Sequence, residues 1–172
     1  MTHYEASLQQ DLTRLRSKLT EMAGRTEQSL RDCIVALMAG NRQLAYSIIL
    51  RDTFIDALDR EIDRLCLEFI VRQQPAGLHL RFAAAAIKIN LELERVGDYA
   101  KSIAKQSLKL SRIGELAVPA SFQGIADRTI PLVHEATLAF AAQGFPVRRA
   151  GSVSAIASRC SSRNRPRVRV RG

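Results

Sequence analysis

An all-α fold is what this sequence predicts: a long antiparallel three-helix bundle, one further partial helix, and a disordered Arg-rich tail. Three observations carry the prediction. Apolar residues recur at three- and four-residue steps through three successive stretches of roughly 32 residues, the spacing of one helix face. Hydrophobic residues make up 47% of the chain but aromatic residues only 5%, with no Trp. The apolar mass is therefore Leu, Ile, Val and Ala, as in helical bundles. Gly, Asn and Pro fall where those stretches end, at the positions that stop and restart helices.

The first helix is expected from about Ala6 to Met38, with Leu8, Leu12, Leu15, Leu19 and Met22 on one face and Leu30, Ile34 and Leu37 continuing it. Gly40 is placed to end it and Asn41 to cap the next. The second is expected from about Arg42 to Gln74, along a near-heptad seam of Leu44, Ile48, Ile55, Leu58, Ile62, Leu65 and Phe69 that breaks at Arg51. Pro75 and Gly77 mark its stop. The third is expected from about Leu78 to Arg112, on Phe82, Ala86, Ile89, Leu93, Val96, Ala100, Ile103 and Leu110, with Gly114 as its breaker. Gly97 inside it costs about 1 kcal/mol of helix propensity. Each helix spans roughly 48 Å at about 1.5 Å per residue, and the short connectors make neighbours antiparallel. A fourth helix, about Ala120 to Gln143, carries Ile125, Ile130, Val133, Thr137 and Phe140, with Pro131 as a point of kinking.

Beyond Gly144 the composition changes. All 17 acidic residues lie at or before Glu135, and eight of the 26 basic residues are Arg from Arg148 onward. The first 147 residues therefore carry 18 basic against 17 acidic groups, and the last 25 carry +8 of the net +9. A segment with Arg, Ser and small residues, no acid and no helical period reads as disordered. It lacks aromatic residues from Val147 onward, so it can bind nucleic acid only nonspecifically, through charge, and base stacking is not expected. The abrupt switch after Ala142-Gln143 reads as a frame change or a truncated gene product.

No apolar run approaches the length of a membrane span and no signal peptide opens the chain, so a cytoplasmic location is expected. Three widely spaced cysteines exclude a CxxC metal site; Cys33 and Cys66 fall among apolar helical residues as packed thiols, and Cys160 lies in the tail. His3, His79 and His134 show no ligand spacing, and no phosphate loop, Ser-His-Asp order or HExxH occurs, so no enzyme is expected.

The residues that carry chemistry are acidic. Asp52 and Asp56 lie four apart on the second helix, with Asp59 and Asp63 a turn further, and Glu94 and Asp98 lie four apart on the third. Such pairs share a helix face, where like charges cost a few tenths of a kcal/mol. On the third helix the line Leu80, Ala84, Ile87, Leu91 runs directly into Glu94 and Asp98, which suggests a surface facing something cationic. Two readings stand. Carboxylates from two adjacent helices can bridge divalent metals through an all-oxygen shell, with Asp59 as a further contributor. Alternatively the pairs are a solvated charged face bridged by Arg51, Arg60, Arg95 and Lys101.

Arg51-Asp-Thr-Phe-Ile-Asp-Ala-Leu-Asp-Arg-Glu-Ile, the loop Arg72-Gln-Gln-Pro-Ala-Gly, and Ile87-Lys-Ile-Asn-Leu-Glu-Leu-Glu-Arg-Val-Gly-Asp-Tyr-Ala together resemble the PhoU family of phosphate-uptake regulators, over about Tyr4 to Arg112. The resemblance implies tandem three-helix repeats, giving one repeat at 4–112, the first helix of an incomplete second repeat at 115–143, and the tail at 144–172. It implies that Asp52, Asp56, Glu94 and Asp98 match the family's paired acidic motifs and bind divalent or ferric metal ions. It also implies a negative regulator of phosphate uptake and of the phosphate-starvation response: a homodimeric, non-enzymatic adaptor between a phosphate ABC transporter and a membrane sensor histidine kinase, with no specific nucleic acid. The alternative is a generic helical adaptor, or a nonfunctional fragment. Two departures accompany the match: His79 stands where the family carries an acidic helix cap, and a second acidic signature is absent.

Overall fold

The computed structural model describes residues 3–113, 118–119 and 121–142. They form four helices, α1 (His3–Ala39), α2 (Arg42–Gln73), α3 (Gly77–Ile113) and α4 (Ser121–Ala142), and no strand occurs among the described residues. The Gly114 stop, the Arg-rich tail and Cys160 lie outside them. The all-α expectation holds. The first helix is already formed at His3, the first described residue, ahead of the expected Ala6.

The α1–α2 turn follows from its sequence. Gly40 takes a φ of +61°, and the Asn41 side chain accepts the Leu44 N–H at 3.0 Å as the N-cap of α2. At the other end of α2 the left-handed residue is Gln74, at φ +43°, whose N–H returns to the Ile70 carbonyl; Pro75 then prevents continuation. Tyr4 donates to the Gln73 carbonyl and Gln73 Nε2 donates to Ser7 and Asp11, tying the α2 terminus to the start of α1.

α1, α2 and α3 pack on one another, and α4 packs on α1. Ion pairs Lys18–Glu61 and Arg51–Asp32 run in opposite sequence directions along α1 and α2, so the two are antiparallel. Thr26 bonding to the Leu93 carbonyl, and Ser107 to that of Ala36, make α1 and α3 parallel. The buried Thr26 thus sits in the break of the α1 seam between Met22 and Leu30 with its hydroxyl partnered.

Two seams differ from expectation. On α2 the break at Arg51 is filled by its neighbour Asp52, which is 3% exposed, while Arg51 turns out to Asp32. On α3 the buried line runs through Asn90, Gly97, Ala104 and Ser107, whereas Ile89, Val96, Ile103 and Leu110 are half-buried. α3 touches two helices at once, so its innermost positions are small and its large residues fill the flanks. At Gly97 an added Cβ would stand 3.2 Å from Ile55 Cγ2. The glycine that costs helix propensity is what lets α2 and α3 approach.

α4 stays helical through Pro131. Ala126 and Ile130 are buried with Leu30, Cys33, Ile34, Ala104 and Leu108, and Phe140 stacks on Phe82 with ring centroids 5.6 Å apart. His134 Nδ1 lies 2.9 Å from Glu27 Oε2 and joins α4 to α1, a pairing that no ligand spacing announced. Cys33 and Cys66 are packed thiols as expected; burial pushes them up to about 12 and about 11.

Candidate metal centre

The acidic pairs meet where α2 and α3 run closest. Antiparallel packing brings Ile55 against Gly97, and this sets Asp52 and Asp56 opposite Glu94 and Asp98. The four differ in setting. Asp52 is buried, Asp56 and Glu94 are half-buried, and Asp98 is exposed. Asp59 joins them, half-buried, one turn along α2.

Among the described residues, the cation paired inside the cluster is Lys101. Lys101 Nζ forms an ion pair with Asp52 Oδ2 and stands 3.7 Å from Asp98 Oδ1. Its hydrogen bond to Asp52 first, and then the charges of Asp52, Asp56 and Asp98, hold it above the ordinary lysine value against the opposing effect of burial. Of the other expected cations, Arg51 pairs with Asp32 and Arg95 with Glu92. Arg60 acts on Asp59 through its charge alone.

The carboxylates outnumber that cation, and two of them register it. Burial first, and then Asp98, Asp59 and Asp56, push the Glu94 carboxyl above its ordinary value. Burial first, and then Asp63 and Asp56, do the same to Asp59, against Arg60 and Asn90. A carboxyl raised in this way binds its proton more tightly folded than unfolded. Its contribution to stability falls as pH rises through the raised value, and is fully recovered below the ordinary carboxylate range. Glu94→Gln is therefore expected to raise the melting temperature of metal-free protein at neutral pH, with the gain shrinking toward about pH 4. Thermal melts at both pH values test this; a lower melting temperature at neutral pH would contradict it.

Asn90 is a buried brace beside the cluster that periodicity missed. It is 1% exposed, and its Nδ2 donates to Asp59 Oδ1 at 2.8 Å, to the Asp59 carbonyl at 3.1 Å and to Asp63 Oδ1 at 3.2 Å. The available signal was a carboxamide on the α3 line between Ala86 and Leu93. It locks the second acidic turn of α2 onto α3.

The donor set is all oxygen, the chemistry of a hard cation. Among the described residues no three Asp, Glu, His or Cys side chains are gathered closely enough to hold an ion in this arrangement. Asp52 is instead engaged by Lys101. Of the line Leu80, Ala84, Ile87, Leu91 leading to the cluster, Leu80, Ala84 and Leu91 are exposed and Ile87 is half-buried. No helix among the described residues is long and apolar enough to cross a membrane.

The PhoU domain matches residues 19–107, which contain the whole cluster. A phosphate-specific transport system accessory protein PhoU homolog of Caulobacter vibrioides is 38% identical over 109 residues, 63% of this chain and 47% of that protein. The accessory protein PhoU of Serratia marcescens is 30% identical over 139 residues, 81% of this chain and 57% of that protein. The crystal structure of PhoU from Pseudomonas aeruginosa superposes with a TM-score of 0.75 at 31% identity, covering 77% of this chain and 64% of that one. The chain spans about half the length of the curated relatives it matches.

Proposed function

The chain belongs to the PhoU family, and on that premise we propose that it is a cytoplasmic, non-enzymatic negative regulator of phosphate uptake. It acts as a homodimeric adaptor between a phosphate ABC transporter and a sensor histidine kinase, and restrains the phosphate-starvation response. Its named relatives are accessory proteins of phosphate-specific transport, which supports the transporter as partner.

The observation that carries the site is the uncompensated carboxylate cluster across the Ile55–Gly97 contact. Asp52, Asp56, Glu94 and Asp98 would hold a divalent or ferric ion there. A bound cation supplies the positive charge that Lys101 alone does not. The chain's own residues do the rest: Asn90 holds the neighbouring turn of α2, and Gly97 keeps the two helices at close approach. A metal-free adaptor is the second reading, favoured by the Lys101–Asp52 pair.

Deleting the gene should derepress phosphate uptake, and this chain alone should restore repression; unchanged uptake on deletion would refute the regulatory role. Metal analysis of purified protein separates the two readings of the site. At least about one ion per chain is expected, and it should be lost in Glu94→Ala. Substoichiometric metal that is indifferent to the substitution selects the metal-free adaptor.

A further inference from the structure

One end of the bundle carries cations without acids. α1 and α3 finish there and α2 begins there, beside the start of α4. Residues 33–51, 99–113 and 118–126 contain no Asp or Glu, and the sequence adds one acid between 113 and 118, Glu115, outside the described residues. Of the cations at this end, Arg51 is paired with Asp32 and Lys101 with Asp52. Arg42, Lys105, Lys109 and Arg112 are exposed and form no ion pair among the described residues.

These four lie together. Lys105, Lys109 and Arg112 follow at steps of four and three, which puts them on one stripe of α3. Arg42 joins them from α2. Hydrogen bonds from Arg42 first, and then from Arg112, reach the Tyr46 hydroxyl and hold it below its ordinary value. The charges thus form one band across two helices and meet at a neutral group. Like charges gathered in this way repel, and an anionic surface relieves the repulsion.

The same end is also apolar. Met38, Tyr46, Ile113 and Phe122 are exposed, Ile113 at 75%. Leu37, Ile103, Leu110, Pro119 and Phe122 line an open groove of about 400 Å³. At about 100° per residue, Ile113 falls between Lys109 and Leu110 on the α3 surface, so the basic stripe and the groove adjoin. Cations, a tyrosine and exposed aliphatic side chains on one surface suit a bilayer. The cations meet anionic headgroups, the tyrosine stays at headgroup level and the aliphatic groups enter the acyl boundary. A nucleic acid or a polyacidic peptide would satisfy the charges and leave Ile113 and Phe122 in water.

We infer that this end of the bundle docks on an anionic lipid bilayer, with Arg42, Lys105, Lys109 and Arg112 on the headgroups and Ile113 and Phe122 at the acyl boundary. The contact is peripheral, since no helix among the described residues is long and apolar enough to cross a membrane. It goes beyond the adaptor reading, whose partners are proteins, and does not depend on it.

The Arg-rich tail is itself drawn to anionic vesicles by charge, so the readout has to lie on this end of the bundle. The chain has no Trp, which lets one introduced indole report on its own position. Ile113→Trp places it at the contact, and Val71→Trp places it near the far end of α2, where Val71 is also 75% exposed. With phosphatidylglycerol vesicles the Ile113→Trp emission should shift to the blue and be quenched by brominated acyl chains, while Val71→Trp stays unchanged. Phosphatidylcholine vesicles, polyglutamate and single-stranded DNA should produce neither effect. Adding Lys105→Gln and Lys109→Gln to Ile113→Trp should raise the lipid concentration at half-shift at least about fivefold, with circular dichroism confirming helicity. An Ile113→Trp emission that ignores phosphatidylglycerol overturns the inference. An equal response of Val71→Trp, an equal response to phosphatidylcholine, or a shift indifferent to the lysine changes overturns it too. A response to polyglutamate or DNA in place of lipid assigns the band to that polyanion and overturns the bilayer contact.

Discussion

Gly97→Leu should lower the stability of the folded chain by about 2 kcal/mol and loosen the candidate metal centre with it. A Cβ there meets Ile55 Cγ2 at 3.2 Å and Cδ1 at 3.3 Å, and Asp52 Oδ1 lies only 3.9 Å away. Gly97→Ala needs Ile55 to yield a few tenths of an ångström and recovers about 1 kcal/mol of helix propensity, so its net effect should be small. A leucine has no such escape, because Ile55 is 2% exposed and α2 must move as a body. Denaturant unfolding of Gly97→Leu, Ile55→Ala and the double variant provides the check. Ile55→Ala alone costs about 2–5 kcal/mol, but it makes room for the leucine. The double variant should therefore be more stable than the sum of the single changes by about 1 kcal/mol or more. Additivity, or a neutral Gly97→Leu, would show that the helices do not depend on this contact.

Lys101→Ala should cost about 2 kcal/mol at neutral pH, because it leaves the Asp52 carboxylate buried without its cation. The figure lies below that for a fully enclosed pair because the Lys101 side chain is 26% exposed, so water can reach the space it leaves. The pH dependence has a definite sign. Lys101 is raised above its ordinary 10.5, so the stability it contributes is fully present below that value and is lost as pH climbs through the raised one. The variant should lack this alkaline loss, and Asp52→Asn with Lys101→Met should recover most of the cost. Thermal melts from neutral to alkaline pH read both effects. A further consequence bears on the metal proposal: if a cation replaces Lys101 on Asp52, added metal should raise the melting temperature of Lys101→Ala by more than that of the wild type. Equal shifts would place the ion elsewhere.

The hydrophobic period located each helix because burial of one face repeats at the helical step whatever the partner is. Gly40 and Asn41 marked a turn because their backbone and side-chain chemistry acts within a few residues. The same reasoning misread the inner face of α3. It chose Ile89, Val96 and Ile103 for their size, whereas the space between two neighbouring helices selects Asn90, Gly97 and Ala104. At the candidate site, spacing placed Asp52 with Asp56 and Glu94 with Asp98, each on one face. It could not tell which face, so Asp52 and Asp98 looked equivalent although one is buried and the other exposed.

By itself, then, the sequence determined the all-α fold, the positions of the helices and the residues of the acidic motifs, since all of these follow from local backbone preference and the spacing of side chains along one chain. The tertiary structure alone decided the electrostatics. Whether a carboxylate is paired, crowded or buried depends on groups from another helix, and only packing revealed that Lys101 pairs with Asp52 inside the cluster and that Asn90 is the buried brace. It also decided that α4 packs on α1 through one apolar flank and leaves the other open, because which flank is covered depends on where α1 stands.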